Sequence, residues 1–196
     1  MLASITPLGE RSRNSRWGVT VTAFALGSTA AGLAAGAALG AAGAPLRAAA
    51  SPSVRLWIMG ALLGVALAFE SRLLRPLPTL RRQVNEQWLH RYRGWVYGAG
   101  FGIQLGAGVA TIVSTSAVYC VLASAVLLGS PLWGALVGGT FGLVRGLSVL
   151  PSRRVRSSAA LVSLDQRLRR WDRPSRAATA ASLTAMAAVA VVAAWR

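Results

Sequence analysis

The sequence predicts an all-α integral membrane protein with about six transmembrane helices. Hydrophobic residues make up 54% of the 196 residues and charged residues only 13%, which is about half the charged fraction of an average soluble domain. Three long stretches contain no charged residue, namely 18–44, 94–144 and 177–195. No stretch alternates between polar and apolar residues for long enough to indicate a β-barrel.

The charged residues are strongly biased towards arginine. The chain has 21 basic and 5 acidic residues, a net charge of +16, and no lysine. A disordered basic tail is excluded, because such segments lack apolar residues. A nucleic-acid-binding protein distributes its arginines over a folded surface, whereas here they lie in blocks between apolar runs. We therefore predict no nucleic-acid partner and expect the Arg-rich segments to bind anionic lipid of the bilayer.

The first predicted element is a basic N-terminal tail, residues 1–17, followed by the apolar run 18–44. This run has 27 residues, and one bilayer crossing takes roughly 20. A cleaved signal peptide is the alternative, with Ala42-Gly43-Ala44 as its cleavage site. The apolar part of a signal peptide has only roughly 7–15 residues, so we expect a retained helix.

Five further apolar segments follow, at 53–71, 94–113, 114–129, 131–150 and 176–195. Arg-rich, partly amphipathic stretches occupy 72–93 and 151–175, and we expect two interfacial helices there. The segment 114–129 is the shortest of the six, with 16 residues. If it does not cross the bilayer, the chain has five crossings.

Two of the segments resemble each other. Each contains Ser-Pro, then Leu-Trp, then Gly-Ala-Leu-Leu-Gly or Gly-Ala-Leu-Val-Gly, at residues 51–64 and 130–138. An Arg-rich stretch and a further apolar segment follow both. This order predicts a three-plus-three repeat with halves at 18–113 and 114–196.

The arginine blocks also predict the topology. Arg-rich loops are usually cytoplasmic, which places 1–17 and 72–93 on that side of the inner membrane. If the same rule places 151–175 in the cytoplasm, an even number of crossings must separate it from 72–93. An inverted repeat requires three crossings there. The side of 151–175 therefore stays open.

Glycines recur every four residues in two segments, and residues four apart share one face of a helix. They are Gly94, Gly98, Gly102 and Gly106 in one row and Gly134, Gly138, Gly142 and Gly146 in the other. Glycine lets two membrane helices approach closely. We expect these rows to pack helices within the chain, and a homo-oligomer contact or a ligand-lining groove is the alternative.

Polar residues at membrane depth are candidates for a substrate path, because they cost energy there and usually have a function. They are Gln104, Thr111, Thr140, Arg145 and Glu70. An interhelical hydrogen bond is the alternative for Gln104, and a bond to the backbone of its own helix is the alternative for the threonines. The guanidinium of Arg145 can instead extend to the interface, or pair with Glu70 across the halves.

Residues for catalysis are nearly absent. The chain has one histidine, His90, and one cysteine, Cys120. A single histidine cannot form a metal site alone, and a lone buried cysteine usually acts as a small hydrophobic residue. We predict that the protein is not an enzyme and has no metal and no cofactor.

The six-helix layout in two halves, with Pro52 and Pro131 near the start of corresponding segments, resembles the thiol-disulfide interchange and cytochrome c biogenesis transmembrane family. It is more distantly similar to small exporters of amino acids and sulfite. The resemblance implies a redox function that uses one cysteine in each half. This sequence has only Cys120, which is not next to a proline, so no functional residue is carried over.

These observations predict a small transporter or permease component for a small solute. A non-catalytic scaffold or assembly subunit of a membrane complex is the alternative, and a redox membrane protein is the third class. The expected partners are the lipid bilayer and either a second copy of the chain or another membrane subunit.

Overall fold

Helices form all the regular secondary structure in the computed structural model, which describes residues 5–71, 73, 92–108 and 115–195. This confirms the all-α prediction for the described residues. The helices are α1 (Pro7–Ser12), α2 (Trp17–Ala42), α3 (Ala44–Ala49), α4 (Pro52–Glu70), α5 (Gly94–Gly106), α6 (Ala117–Leu128), α7 (Pro131–Leu147) and α8 (Ser158–Ala194). A 3₁₀ turn at Leu150–Arg154 connects α7 to α8.

Four of the described helices are long and apolar enough to cross a bilayer: α2, α4, α7 together with the 3₁₀ turn, and α8. They support the prediction of a membrane protein with transmembrane helices. The remaining two apolar helices, α5 and α6, have 13 and 12 residues. At 1.5 Å per residue each covers about 20 Å, less than the ~30 Å hydrocarbon core. The predicted count of six crossings is therefore not confirmed.

Proline or serine marks the start of α4, α7 and α8. Pro52 and Pro131 are the first residues of α4 and α7, where the missing N–H of proline costs no helical hydrogen bond. The side chain of Ser51 accepts a hydrogen bond from the Val54 N–H at 3.4 Å, and Ser157 caps α8 in the same way. Gly129 follows α6 with a positive φ of 57° and ends that helix.

The central helix is α2, which packs between α5 and α7. α5 runs in the same direction as α2, because Gly98 lies against Thr20 and Gly106 lies against Ser28. α7 runs in the opposite direction: its first turn lies against the C-terminal part of α2, and its last turn lies against Ala25. A serine from α2 joins the two helices, since the buried Ser28 hydroxyl donates to the Gly142 carbonyl oxygen at 2.7 Å.

The second pair of long helices is α4 and the C-terminal half of α8, which run antiparallel. The rings of Trp57 and Trp195 pack edge to face with their centroids 5.9 Å apart. Further along the pair, Leu63 and Leu183 belong to one buried cluster that also includes Cys120 of α6. Long helices of the two predicted halves thus pack against each other, α2 against α7 and α4 against α8.

The expected helix end near residue 175 is absent. α8 is one helix of 37 residues that contains part of the predicted interfacial stretch 151–175 and the last apolar segment, with Pro174 inside it. Two ion pairs between residues four apart support the helix. Asp165–Arg169 at 2.8 Å precedes the proline, and Asp172–Arg176 at 3.3 Å spans it. The other predicted interfacial helix, 72–93, lies almost entirely outside the described residues.

Residues 5–16, predicted as part of a basic tail, are folded against the end of α7. The Leu8 N–H donates to the Val155 carbonyl oxygen at 3.2 Å, and the Ser152 hydroxyl donates to the Ile5 carbonyl oxygen at 3.0 Å. The side chains of Ile5 and Val155 are buried. The N-terminal segment and the 3₁₀ turn therefore lie at the same end of the bundle.

Candidate functional site

The carboxylate of Glu70 binds the N-terminus of α6. The Thr115 hydroxyl donates to its Oε1 at 2.5 Å, and the Ser116 N–H donates to the same oxygen at 2.9 Å. The Ser116 hydroxyl lies 2.8 Å from the carbonyl oxygen of Ala66, to which it donates. The first N–H groups of a helix lack partners within the helix and carry partial positive charge. A carboxylate is the side chain best suited to this position.

Thr115 and Ser116, which immediately precede α6, lie next to Glu70. α5 ends at Gly106 beside Ser28 of α2. α6 begins beside Glu70 and ends where Val126 contacts Gly43, just after α2. The two short helices therefore follow each other along α2, and residues 107–116 separate them. Of these, 109–114 lie outside the described residues.

A narrow cleft opens between α4 and α6 on the side of Glu70. Its volume is about 180 Å³, and its lining is apolar except near the N-terminus of α6. It is lined by Leu62, Val65, Ala66 and Phe69 from α4 and by Ser116, Tyr119, Cys120 and Ala123 from α6. Cys120 is a buried free thiol. The cleft is thus small and mainly apolar, and the Ser116 hydroxyl lies at its end near the start of α6.

Both predicted glycine rows lie in contacts with α2. A Cβ at Gly102 would overlap the carbonyl oxygen of Phe24, and a Cβ at Gly138 would overlap the carbonyl oxygen of Gly32. At the remaining six glycines of the two rows, an added Cβ would also lie within 3 Å of an atom of α2. The six are Gly94, Gly98, Gly106, Gly134, Gly142 and Gly146. The two rows are visible in the sequence. The sequence does not show that both rows pack against the same helix, α2.

The other candidate path residues do not come together. Gln104 is half-buried on α5, two positions from Gly102 and Gly106, which places it on the face turned away from α2. It forms no hydrogen bond with any residue that the structure describes. The exposed Thr140 hydroxyl donates to the Leu136 carbonyl oxygen of its own helix at 2.8 Å. Thr111 lies outside the described residues.

Arg145 does not pair with Glu70. Its guanidinium carbon lies 5.2 Å from the centroid of the Phe141 ring, one helical turn away. Its Nη1 is buried without a hydrogen-bond partner among the described residues. A cation over an aromatic ring is attracted by the ring quadrupole, which accounts for its orientation on α7.

Glu10 is a buried carboxylate that sequence reasoning missed. Its Oε2 accepts a hydrogen bond from the Thr20 hydroxyl at 2.8 Å, and its Oε1 accepts bonds from Arg13 at 2.8 Å and from the Tyr97 hydroxyl. Its side chain is completely buried. Burial lowers the pKa of Arg13, but hydrogen bonds with Glu10 and Tyr97 outweigh this and raise it. The only signal in the sequence is one acidic residue in an otherwise basic segment.

Groups suited to metal binding are not assembled in the part of the chain that the structure describes. There, no three side chains of histidine, cysteine, aspartate or glutamate lie together. His90 falls outside that part. No family model, no curated protein and no solved structure matches the chain.

Proposed function

We propose that the chain is a multi-pass protein of the cytoplasmic membrane that carries a small solute. The observation that supports this is the pair of short helices α5 and α6, which follow each other along α2, with Glu70 at the start of the second. In many secondary transporters, solute and coupling ions bind where a transmembrane helix is broken, because the ends of half-helices offer free backbone groups.

The proposed topology has five crossings. α2, α4, α7 and α8 each cross once, and α5 and α6 in series make one crossing. In this topology the 3₁₀ turn lies on the same side of the membrane as residues 5–16. The hydrogen bond between Leu8 and Val155 agrees with this placement. Arginines flank both segments, so we assign this side to the cytoplasm.

The chemistry of Glu70 suggests the class of solute. A carboxylate accepts hydrogen bonds and attracts positive charge. Thr115 and Ser116 donate to Oε1, and a solute or coupling ion that binds either carboxylate oxygen must likewise donate hydrogen bonds or carry positive charge. We therefore propose a small amine, or a small neutral donor moved together with a proton.

Uptake into proteoliposomes tests this function. The purified full chain is reconstituted and assayed with a panel of labelled small amines and neutral hydrogen-bond donors, with and without a pH gradient. We expect uptake of at least one solute above that of empty liposomes, and loss of uptake in Glu70→Gln. Asp165→Asn, which changes an exposed carboxylate on α8, is the matched control and should retain uptake.

A scaffold subunit is the second candidate, and the close packing of α2 favours it. The contacts of α2 with α5 and α7 bring backbone against backbone and leave no space for a solute between these helices. A folded wild-type chain that takes up no member of the panel contradicts the carrier and favours the scaffold.

A further inference from the structure

A cavity lined by arginines lies where α1 and the start of α2 meet the 3₁₀ turn. Its volume is about 360 Å³. Pro7, Ser15 and Trp17 line part of the cavity. The rest of the lining is formed by four arginines, Arg11, Arg16, Arg153 and Arg156. We propose that this cavity binds a phosphate group, carried by the headgroup of an anionic lipid or by a soluble phosphate compound.

The cavity is built from two segments that are far apart in the sequence. Hydrogen bonds from Leu8 to Val155 and from Ser152 to Ile5 join them. Ile5, Val149 and Val155 are almost completely buried beside these bonds. The backbone on both sides is therefore fixed, and the arginines are not parts of loose tails. A backbone fixed in this way lowers the entropic cost of gathering the exposed arginine side chains around an anion.

No carboxylate among the described residues neutralises these four arginines. Glu10 lies nearby, but both of its oxygens already accept hydrogen bonds from Arg13, Thr20 and Tyr97. The exposed aspartates of α8 pair with other arginines, Arg169 and Arg176. Four positive charges around one cavity repel one another, and a bound anion removes this repulsion.

The donors present favour phosphate over other anions. Each guanidinium offers a planar pair of N–H groups that matches two oxygens of a phosphate. The Trp17 ring forms an apolar wall of the cavity at the point where the apolar run of α2 begins. Tryptophan and arginine next to an apolar helix are typical of the headgroup region of a bilayer. A lipid phosphate can reach the cavity with its acyl chains beside α2.

Thermal unfolding of the full chain in a zwitterionic detergent tests the proposal. The protein is titrated with dioctanoyl phosphatidylglycerol, with dioctanoyl phosphatidylcholine and with inorganic phosphate. We expect saturable stabilisation by phosphatidylglycerol and much weaker stabilisation by phosphatidylcholine. Arg153→Gln combined with Arg156→Gln should weaken binding about 25-fold, because each arginine near an anionic group contributes ~1 kcal/mol.

A variant of equal charge provides the control. Arg167→Gln combined with Arg170→Gln removes two exposed arginines of α8 outside the cavity, and its affinity should change by less than about two-fold, since salt screens distant charges. Arg11→Gln tests the other segment and should weaken binding about five-fold. Circular dichroism verifies that each variant is folded.

Two results would overturn the proposal. Equal losses of affinity in the two double variants would show that net charge alone explains the binding. Equal stabilisation by phosphatidylglycerol and phosphatidylcholine would show general lipid binding. A third result is that inorganic phosphate stabilises the wild-type chain and fails to stabilise the Arg153→Gln/Arg156→Gln variant. That result supports the phosphate site and assigns it to a soluble ligand. None of these results depends on whether the chain transports a solute.

Discussion

Arg55 and Glu70 lie on the same helix, α4, and bind opposite ends of α6. The Arg55 Nη1 donates to the carbonyl oxygen of Leu127 at 3.0 Å, and Glu70 accepts bonds from Thr115 and Ser116. The cation lies at the C-terminus of α6 and the anion at its N-terminus, so both charges are favourable with respect to the helix dipole. One helix thereby determines the position and direction of a neighbour that is too short to be stable alone.

Removing either charge should destabilise the protein. We expect Glu70→Ala and Arg55→Ala each to lower the free energy of unfolding by about 1–2 kcal/mol, the size of a lost helix cap. The side chains bind different ends of α6, so the double variant should show the sum of the two effects. Unfolding in mixed micelles with increasing denaturing detergent measures these values. A change below about 0.3 kcal/mol at both sites would show that α4 does not stabilise α6 in this way.

Adding a methyl group at Gly138 should disrupt the contact between α2 and α7. Gly138→Ala would place a Cβ against the backbone of Gly32, and the helices must separate, at a cost of about 2 kcal/mol or more. Gly64 of α4 has no atom within 4 Å of a Cβ position, so Gly64→Ala should be neutral or stabilising by up to about 1 kcal/mol. The same unfolding assay compares the two. Equal tolerance of both changes contradicts the packing described for α2.

Glu10→Gln should be among the most destabilising single changes outside the apolar helices. It leaves Arg13 partly buried without its carboxylate, and loss of one partner of a buried pair costs about 3 kcal/mol. Asp165→Asn removes an exposed pair with Arg169 and should leave the melting temperature almost unchanged, because exposed ion pairs contribute little to stability. Thermal unfolding measures the difference, and similar melting temperatures for the two variants would show that the Glu10 cluster contributes little.

Labelling of single cysteines tests the proposed topology. In a Cys120→Ala background, Ser12→Cys and Ser157→Cys should react with an impermeant maleimide from the same side of the membrane. Ser51→Cys, between α3 and α4, should react only from the opposite side. All three positions lie outside the spanning helices, and all three serines are exposed. Labelling of Ser12→Cys and Ser157→Cys from opposite sides excludes an even number of crossings between them.

The ends of the helices were predictable where local chemistry determines them. The apolar segments 53–71 and 131–150 correspond closely to α4 and α7, because the proline at or just before the start of each segment is a local signal for the first helical position. The continuity of α8 through Pro174 was not predictable in this way. It depends on ion pairs of the neighbouring turns and on strong helix-forming residues on both sides.

The partners of the candidate residues were harder to predict than the residues themselves. Glu70 was identified from its position at the end of an apolar segment, equivalent to that of Arg145 in the other half, but its partners are Thr115 and Ser116 and not Arg145. A charge at a helix end binds whichever helix terminus the tertiary fold brings near it, and sequence spacing does not contain this information. The arginine cavity was hidden for the same reason, because it requires residues 5–16 to dock on residues 149–156.

The hydrogen bond between Leu8 and Val155 also sets an order of events during synthesis. A ribosome adds about 5–20 residues per second, so the N-terminal segment waits roughly 7–30 s before its docking partner has been made. During this time Ile5 has no apolar neighbours from residues 149–155, and the cavity has only half of its arginines. Residues 5–16 are thus made well before their docking partners and reach their native position late, and the bundle closes at this end only after α7 is complete.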